Sequence, residues 1–343
     1  MTPDAVMNPA EAHVVTPRRL ALTLALGLAA VLLCLLLCPL FGPTHLSLSR
    51  AFAGLWPDER MFFGVRLPRV LLALLCGGAL SIAGCLFQSL LRDPLATPYT
   101  LGVSGGASLG AVVAICFGLH TIAGLPGLWG ASMAGAGVTL LIVLAVASEG
   151  RRVSSFTLLL AGVMVNGIVT SLIMLLHNLA SLRESFAIVH WLMGNIDPPE
   201  PSTLVYLALA LLPLSVALCL AARRWNLMSV GEEWAAARGV SPARLLLYGY
   251  IAGSFLTAAV TAVTGPIGFV GLVVPHALRL KLGSDHRLLM PASFLFGAAF
   301  LAVCDTVARS VFAVELPVSV LTALVGGPSF IALLRSRRRS LWL

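Results

Sequence analysis

The sequence predicts an all-α fold: a polytopic integral membrane bundle of about ten transmembrane helices. Charged residues make up only 10% of the 343 residues and hydrophobic residues 59%, whereas about a quarter of a soluble domain is charged. In addition, no Asp, Glu, Lys or Arg occurs between Asp93 and Glu149. Because one span needs roughly twenty apolar residues, this run alone accommodates two helices, joined by a turn near residues 124–127.

Other apolar stretches predict the remaining spans. One boundary between spans is placed at Gly265 and Pro266, because proline removes a backbone donor and the stretch around it carries no charge. In chain order, the predicted spans are residues 20–41, 66–91, 98–118, 126–148, 154–178, 203–222, 245–264, 266–281, 288–308 and 316–334.

Basic residues predict the orientation, because short cytoplasmic loops are enriched in Arg and Lys. With ten spans, Arg18, Arg92, Arg151 and Arg223 all fall on one side, together with the basic residues after the last span. Residues 1–19 and 336–343 are therefore expected to be cytoplasmic tails around a transmembrane domain of residues 20–335. This topology explains the net charge of +8 better than nucleic-acid binding does, since no basic motif with interleaved aromatic residues is present.

Glycine spacing predicts close contacts between helices, because small residues let helix backbones approach each other in lipid. The glycines concerned fall on the second, third and fourth predicted spans: Gly77, Gly78 and Gly84, then Gly102, Gly106 and Gly110, then Gly130 and Gly137.

The sequence shows no catalytic or metal-binding constellation. It has no P-loop motif, and its histidines lack the spacing of metal ligands. Asp305, an acid within a predicted span, is a functional candidate by default. The sequence shows no buried partner for it, however, so it makes a poor proton relay. No catalytic residue, metal or cofactor is expected, and the pattern describes a polytopic protein that moves or senses something.

Short polar motifs occur in a fixed order along the chain. The first half contains Arg66-Leu-Pro-Arg69, Gly84, Gln88, Asp93-Pro-Leu-Ala96, Pro98 and Leu101-Gly-Val-Ser-Gly-Gly-Ala107. The second half contains Gly265-Pro-Ile-Gly-Phe-Val-Gly-Leu-Val-Val-Pro-His276, Arg279, Asp285-His-Arg287, Pro291, Asp305, Arg309, Glu315-Leu-Pro317 and Gly327-Pro328. In this order and spacing, residues 60–335 resemble the FecCD-type permease subunits of type II ATP-binding-cassette (ABC) importers. One departure is Asp93, where the family usually has Asn.

The resemblance implies a cobalamin-importer-permease-like fold in the bacterial inner membrane. It also implies a transport subunit that takes up an iron complex (ferric siderophore or haem) or cobalamin from the periplasm. Such a subunit has no ATPase site of its own, because ATP is bound by a separate subunit. The implied partners are a second permease copy in a homodimer, two cytoplasmic ATPase subunits, a periplasmic substrate-binding protein and membrane lipid, with no nucleic acid.

Three arginines are implied to dock the substrate-binding protein: Arg66, Arg69 and Arg309. In the family, arginines at the matching positions pair with glutamates on that protein, and the predicted topology places all three on the periplasmic side. Arginine suits this role because its planar guanidinium binds a carboxylate through two hydrogen bonds.

A cytoplasmic loop at about residues 223–244 is implied to contact the ATPase. Its sequence predicts a short helix that ends at Gly239, followed by a helix that starts at Ser241 and Pro242. In the family this segment lies in a groove of the ATPase and transmits its movement to the spans. The implied contact residues are Glu232, Glu233, Trp234 and Arg238.

Two further sets of residues are implied by the resemblance. A cytoplasmic gate would be formed by two loops, which contain Asp93, Pro94 and Leu95, and Ser154 and Ser155. The serines could equally be helix caps. A short helix near the mouth of the transport cavity would contain Trp191, Met193 and Asn195.

Two other classes of membrane protein were considered. A cation-coupled secondary transporter that does not use ATP is the main alternative, and such proteins place broken helices and buried charges near mid-membrane. The Gly265–Pro266 break is the one feature of the sequence that points that way. An intramembrane enzyme would need paired acids, a histidine cluster or an activated nucleophile, and the sequence shows none of these.

Overall fold

The computed structural model describes residues 16–119, 121–122, 125–149, 152–311 and 315–340. The predicted turn at Gly124 and the basic residue Arg151 lie outside them. The helices, in chain order, are α1 (Pro17–Leu37), α2 (Leu48–Phe52), α3 (Leu67–Leu90), α4 (Val103–Cys116), α5 (Gly127–Ala147), α6 (Ser155–Leu179), α7 (Leu182–Leu192), α8 (Pro201–Leu220), α9 (Ala222–Val230), α10 (Glu232–Ala237), α11 (Pro242–Thr264), α12 (Val270–Leu282), α13 (His286–Ser310) and α14 (Val318–Ser340). A short 3₁₀ turn (Cys38–Leu40) follows α1, and a π-helical turn (Arg60–Arg66) precedes α3.

Each of the ten predicted spans coincides with a helix, so the all-α fold class is confirmed. Within the described part of the chain, seven helices are long and apolar enough to cross a membrane. Helices α4 and α12 begin later than predicted, because the residues before them turn the backbone into the left-handed region. Gly102 has φ of 80°, and Gly265 and Phe269 both have φ of 67°. The predicted break at Gly265 is confirmed.

Two small hairpins enclose α5. Strand β1 (Thr121–Ile122) pairs antiparallel with β2 (Leu125–Pro126) before the helix, and β3 (Ser148–Glu149) pairs with β4 (Arg152–Val153) after it. These pairings are two residues long. Among the described residues they form no larger sheet that could alter the helical architecture.

Helix α3 is the centre of the bundle and is buried along nearly its whole length. Its predicted glycine face is confirmed as a packing surface. A Cβ atom on Gly84 would lie 1.8 Å from the carbonyl oxygen of Gly271, and one on Gly77 would lie 2.4 Å from that of Gly297. Since these contacts are with backbone atoms, only glycine allows α12 and α13 to approach α3 this closely.

Helix α5 packs on α4 in the same way but through fewer glycines than predicted. A Cβ atom on Gly106 or Gly110 would overlap α5, as the sequence predicts. The prediction for Gly130 and Gly137 is wrong within this chain, because a Cβ atom on either would contact none of the described residues within 4 Å.

Helices α3 and α13 run antiparallel and define two ends of the molecule. At one end, Arg69 in the first turn of α3 bonds to Asp305 near the end of α13. At the other end, Ser89 in the last turn of α3 bonds to His286 at the start of α13. The 24 residues of α3 separate the two ends by about 36 Å. We call them the arginine end, marked by Arg66, Arg69 and Arg309, and the coupling end, marked by Arg92, Glu232 and Asp285.

Candidate functional site

The arginine end contains a buried ionic cluster centred on Asp305. The Nε atom of Arg69 donates a hydrogen bond to Oδ1 of Asp305 over 3.1 Å. The Nε atom of Arg309, one helical turn further along α13, lies 3.4 Å from Oδ2. Asp305 is fully buried. The sequence-based view that this acid has no buried partner is therefore wrong, since two guanidinium groups neutralise it.

Backbone carbonyl groups after α1 complete the coordination of the arginines. Arg309 donates to the carbonyl oxygens of Cys38 and Phe41, at 2.7 Å each. Arg66 donates to those of Leu40 and Thr44. Carbonyl groups at the end of a helix have no partner within the helix and need donors from elsewhere. The arginines thus fix the connection between α1 and α3 to the end of α13.

The structure brings the three predicted docking arginines together at one end, but it buries them. All three are nearly inaccessible to solvent, and the groups they contact belong to this chain. The exposed member of the cluster is Glu315, whose Oε2 atom lies 3.2 Å from Nη1 of Arg69 and whose side chain is 49% exposed. Sequence reasoning included Glu315 in a motif but not among the site residues. An acid placed just before the last predicted span was the available signal.

The coupling end presents the segment that the sequence assigned to ATPase contact. Residues Glu232–Ala237 form α10, Gly239 has φ of 78°, and α11 begins after Ser241. The predicted short helix and its end are confirmed. Glu233, Trp234 and Arg238 are exposed, with Trp234 at 63%.

Glu232 points instead towards the two predicted gate loops. Its Oε1 atom accepts a hydrogen bond from Nη2 of Arg92 over 3.1 Å and another from Oγ of Ser155 over 2.9 Å. Arg92 immediately precedes the loop of Asp93, Pro94 and Leu95. One carboxylate therefore joins α10 to Arg92, just before the first loop, and to Ser155, at the end of the second.

The gate loops also have local structure of their own. The Oδ1 atom of Asp93 accepts a hydrogen bond from the backbone N–H of Leu95 over 2.8 Å, which forms a tight turn. The Oγ atom of Ser154 accepts one from the N–H of Thr157 and caps α6. Ser154 is thus a helix cap, whereas Ser155 makes a tertiary contact with Glu232.

A polar network at the coupling end attaches α9 to α13. The amide of Asn226 donates to Oδ1 of Asp285 over 2.8 Å and accepts from the backbone N–H of His286 over 2.7 Å. Asp285 precedes α13 and caps it through the N–H of Arg287. Partial burial alone would raise the pKa of Asp285, but hydrogen bonds from Arg287 and Asn226 outweigh this effect and lower the pKa to about 2.

A cavity of about 640 Å³ lies between α4, α6 and α7. Its polar wall is one side of α6, where Asn166, Thr170 and His177 are spaced by about whole turns and Asn178 lies next to His177. Sequence reasoning missed these residues, although their spacing on an otherwise apolar helix was a usable signal. Among the described residues that line the cavity, none is Lys, Arg, Asp or Glu.

The predicted cavity-mouth residues lie beside this space. Val189 and Leu192 of α7 line the large cavity, while Met193 lines a neighbouring one of about 280 Å³. The segment that contains Trp191 and Asn195 packs on the break before α12, where the N–H of Asn195 bonds to the carbonyl of Thr264 over 2.8 Å.

Comparison with known proteins gives a consistent result. The model of the FecCD transport family matches residues 29–336. The chain is 41% identical over 277 residues to the cobalamin import system permease protein BtuC of Halobacterium salinarum, which covers 80% of this chain and 73% of BtuC. It is 35% identical over 301 residues to the hemin transport system permease protein HmuU of Yersinia pestis, covering 85% and 90% respectively.

A solved structure has the same fold. It is a metal-chelate-type ABC transporter in an inward-facing conformation, with a TM-score of 0.82 and 31% sequence identity. The match covers 92% of this chain and 99% of that one. The helical arrangement described above therefore extends over nearly the whole of the compared protein.

Proposed function

The chain belongs to the FecCD transport family and is a permease subunit of a type II ABC importer, and on that premise we propose that its cargo is a bulky metal chelate: a ferric siderophore, haem or cobalamin. Relatives named for cobalamin and hemin transport support this class. Another relative is named for molybdate import, so a small oxyanion is the contrasting cargo.

The cavity beside α6 is the observation that carries the proposal. Its volume of about 640 Å³ is in the range of sites that bind molecules of drug size. Its described lining has amide, hydroxyl and imidazole groups but no cationic side chain. A desolvated oxyanion would need charge-assisted donors there. A large chelate that offers many weak contacts needs none.

Transport by the reconstituted importer tests the cargo class. The permease, its ATPase and its substrate-binding protein are placed in vesicles and offered cyanocobalamin, hemin, a ferric hydroxamate siderophore or molybdate, each with and without ATP. We expect ATP-dependent uptake of one chelate and none of molybdate. Uptake of molybdate alone would contradict the cargo proposal, and uptake without ATP would favour the cation-coupled transporter.

The structure also bears on that alternative. Cation-coupled transporters place their buried charges near mid-membrane, beside broken helices. Here the buried acid is in the last turns of α13, ion-paired with two arginines at one end of the bundle. The break at Gly265 packs against the segment after α7. These positions favour an importer driven from outside the membrane by a separate ATPase.

We place the coupling end in the cytoplasm, with both termini, and the arginine end in the periplasm. The proposed partners are a second copy of this permease, two ATPase subunits at the coupling end, and a substrate-binding protein at the arginine end. Exposed residues of α10 would contact the ATPase, and Glu232 would pass its movement to the gate loops through Arg92 and Ser155. The motion required is a rigid-body shift of packed helices, and a small displacement at one site can be amplified into such a shift.

A further inference from the structure

We propose that Glu315 is a place-holder for an acidic side chain of the docking partner, and that this partner binds by displacing Glu315 from Arg69. The inference rests on the proposed docking of a substrate-binding protein at the arginine end. It adds where the partner's carboxylate reaches the permease surface, and it explains how that carboxylate takes the place of Glu315.

The two sides of the Arg69 guanidinium have different environments. Nε and Nη2 face Asp305, which is fully buried, at 3.1 Å each. Nη1 faces Glu315, which is half exposed, at 3.2 Å. The inner contact anchors the guanidinium within the bundle. The outer contact is the place where a carboxylate from solvent can reach the cluster.

The charges of the cluster favour an incoming acid. The cluster contains three guanidinium groups (Arg66, Arg69 and Arg309) and two carboxylates (Asp305 and Glu315), which gives 3 − 2 = +1. The carboxylates pair with Arg69 and Arg309, whereas Arg66 contacts backbone carbonyl groups. If Glu315 turns into solvent, the cluster carries +2. Because these groups lie where water screens them poorly, the excess positive charge attracts another carboxylate strongly.

The exchange requires little reorganisation. Glu315 is exposed enough to be rehydrated when it leaves, whereas Asp305 continues to hold Arg69 in position. A partner glutamate or aspartate thus finds a preorganised donor, Nη1 of Arg69, and replaces one carboxylate by another. This resolves the apparent conflict between a docking role for Arg69 and its burial, because only its outermost nitrogen needs to be reached.

Replacing Glu315 with Gln tests the exchange, because Gln keeps the shape and removes the competing charge. The assembled importer, in lipid nanodiscs, is titrated with its fluorescently labelled, cargo-free substrate-binding protein at 0.15 M salt. We expect Glu315→Gln to bind about two- to fivefold more tightly than wild type, the range expected for loss of a half-exposed ion pair. Tighter binding is the informative sign, since a residue with a merely structural role can only weaken binding or leave it unchanged.

Two further variants make the outcome unambiguous. Glu59→Gln removes the same charge from an exposed position at the arginine end of the molecule and should bind as wild type does. Arg69→Lys keeps the charge but loses the guanidinium fork, and should bind more weakly. If Glu315→Gln binds no more tightly than wild type while Arg69→Lys binds more weakly, the place-holder role of Glu315 is disproved. Docking of the partner at Arg69 is then still supported. If Arg69→Lys binds as wild type does, docking at Arg69 itself is disproved.

Discussion

The arginine end and the coupling end contain ion pairs of the same length in opposite environments. Arg69 lies 3.1 Å from Asp305, and Arg92 lies 3.1 Å from Glu232. Burial distinguishes them, because Arg69 and Asp305 are 7% and 0% exposed whereas Arg92 and Glu232 are 42% and 37% exposed. Breaking a buried pair leaves a charge without solvent, while water compensates for a broken exposed pair. The arginine end is therefore a fixed anchor, and the coupling end can change its contacts.

The largest expected effect is the loss of the buried acid. Asp305→Ala leaves the guanidinium groups of Arg69 and Arg309 without their shared carboxylate, which should destabilise the fold by about 3–5 kcal/mol. The measurement is the apparent thermal midpoint in detergent. Glu232→Ala, which breaks the equally short pair at the coupling end, should cost about 1 kcal/mol or less. Equal losses in the two variants would show that burial does not separate the two ends.

The second effect concerns partner binding at the coupling end. Trp234 is the large exposed aromatic residue of α10, and such residues often dominate interfaces at about 2 kcal/mol or more. Trp234→Ala should thus weaken ATPase binding by about 30-fold, as measured by copurification and titration. Trp56→Ala removes another exposed tryptophan, which lies at the arginine end, and should leave ATPase binding intact. If Trp56→Ala weakens ATPase binding more than Trp234→Ala does, the assignment of the two ends is reversed.

The third effect is a pH dependence at the coupling end. Because the pKa of Asp285 falls from an ordinary 3.8 to about 2 in the folded chain, its ionised form stabilises the fold above pH 3.8. This contribution disappears as the pH falls towards 2, and it amounts to about 2 kcal/mol at most. Wild type should therefore be more stable than Asp285→Asn at pH 6, and the gap should shrink on acidification.

Asp197→Asn serves as the control for that series, since Asp197 is an exposed acid far from α13 in sequence. This variant shows how far the removal of one exposed carboxylate by itself changes the series. A gap between wild type and Asp285→Asn that widens on acidification would contradict the role given to the Asn226 network.

The smallest expected effect on stability separates anchoring from coupling. Glu232→Gln should change the free energy of unfolding by less than about 1 kcal/mol and leave the ATPase bound. It should still lower the amount of cargo moved per ATP hydrolysed, because the link from α10 to Arg92 and Ser155 is weakened. The readout is the ratio of uptake to ATP hydrolysis in vesicles, compared with wild type. The same ratio in Glu232→Gln and wild type would exclude Glu232 as the link.

The sequence by itself determined the helices and their breaks. Runs of apolar residues predicted all ten segments, Gly265 and Pro266 predicted the break before α12, and Gly239 predicted the end of the short helix α10. These features depend on residues close together in the chain, where backbone geometry and local hydropathy decide the outcome. The ordered motifs likewise identified the family, which the comparisons confirmed.

Only the tertiary structure decided which side chains meet. Arg69 and Asp305 are 236 residues apart, and Ser155 and Glu232 are 77 apart, so no local pattern connects them. The buried face of each helix was also undetermined, as the open surroundings of Gly130 and the polar wall of α6 show. The physical reason is that lipid is as apolar as the bundle interior, so hydropathy identifies a span without indicating which side faces its neighbours.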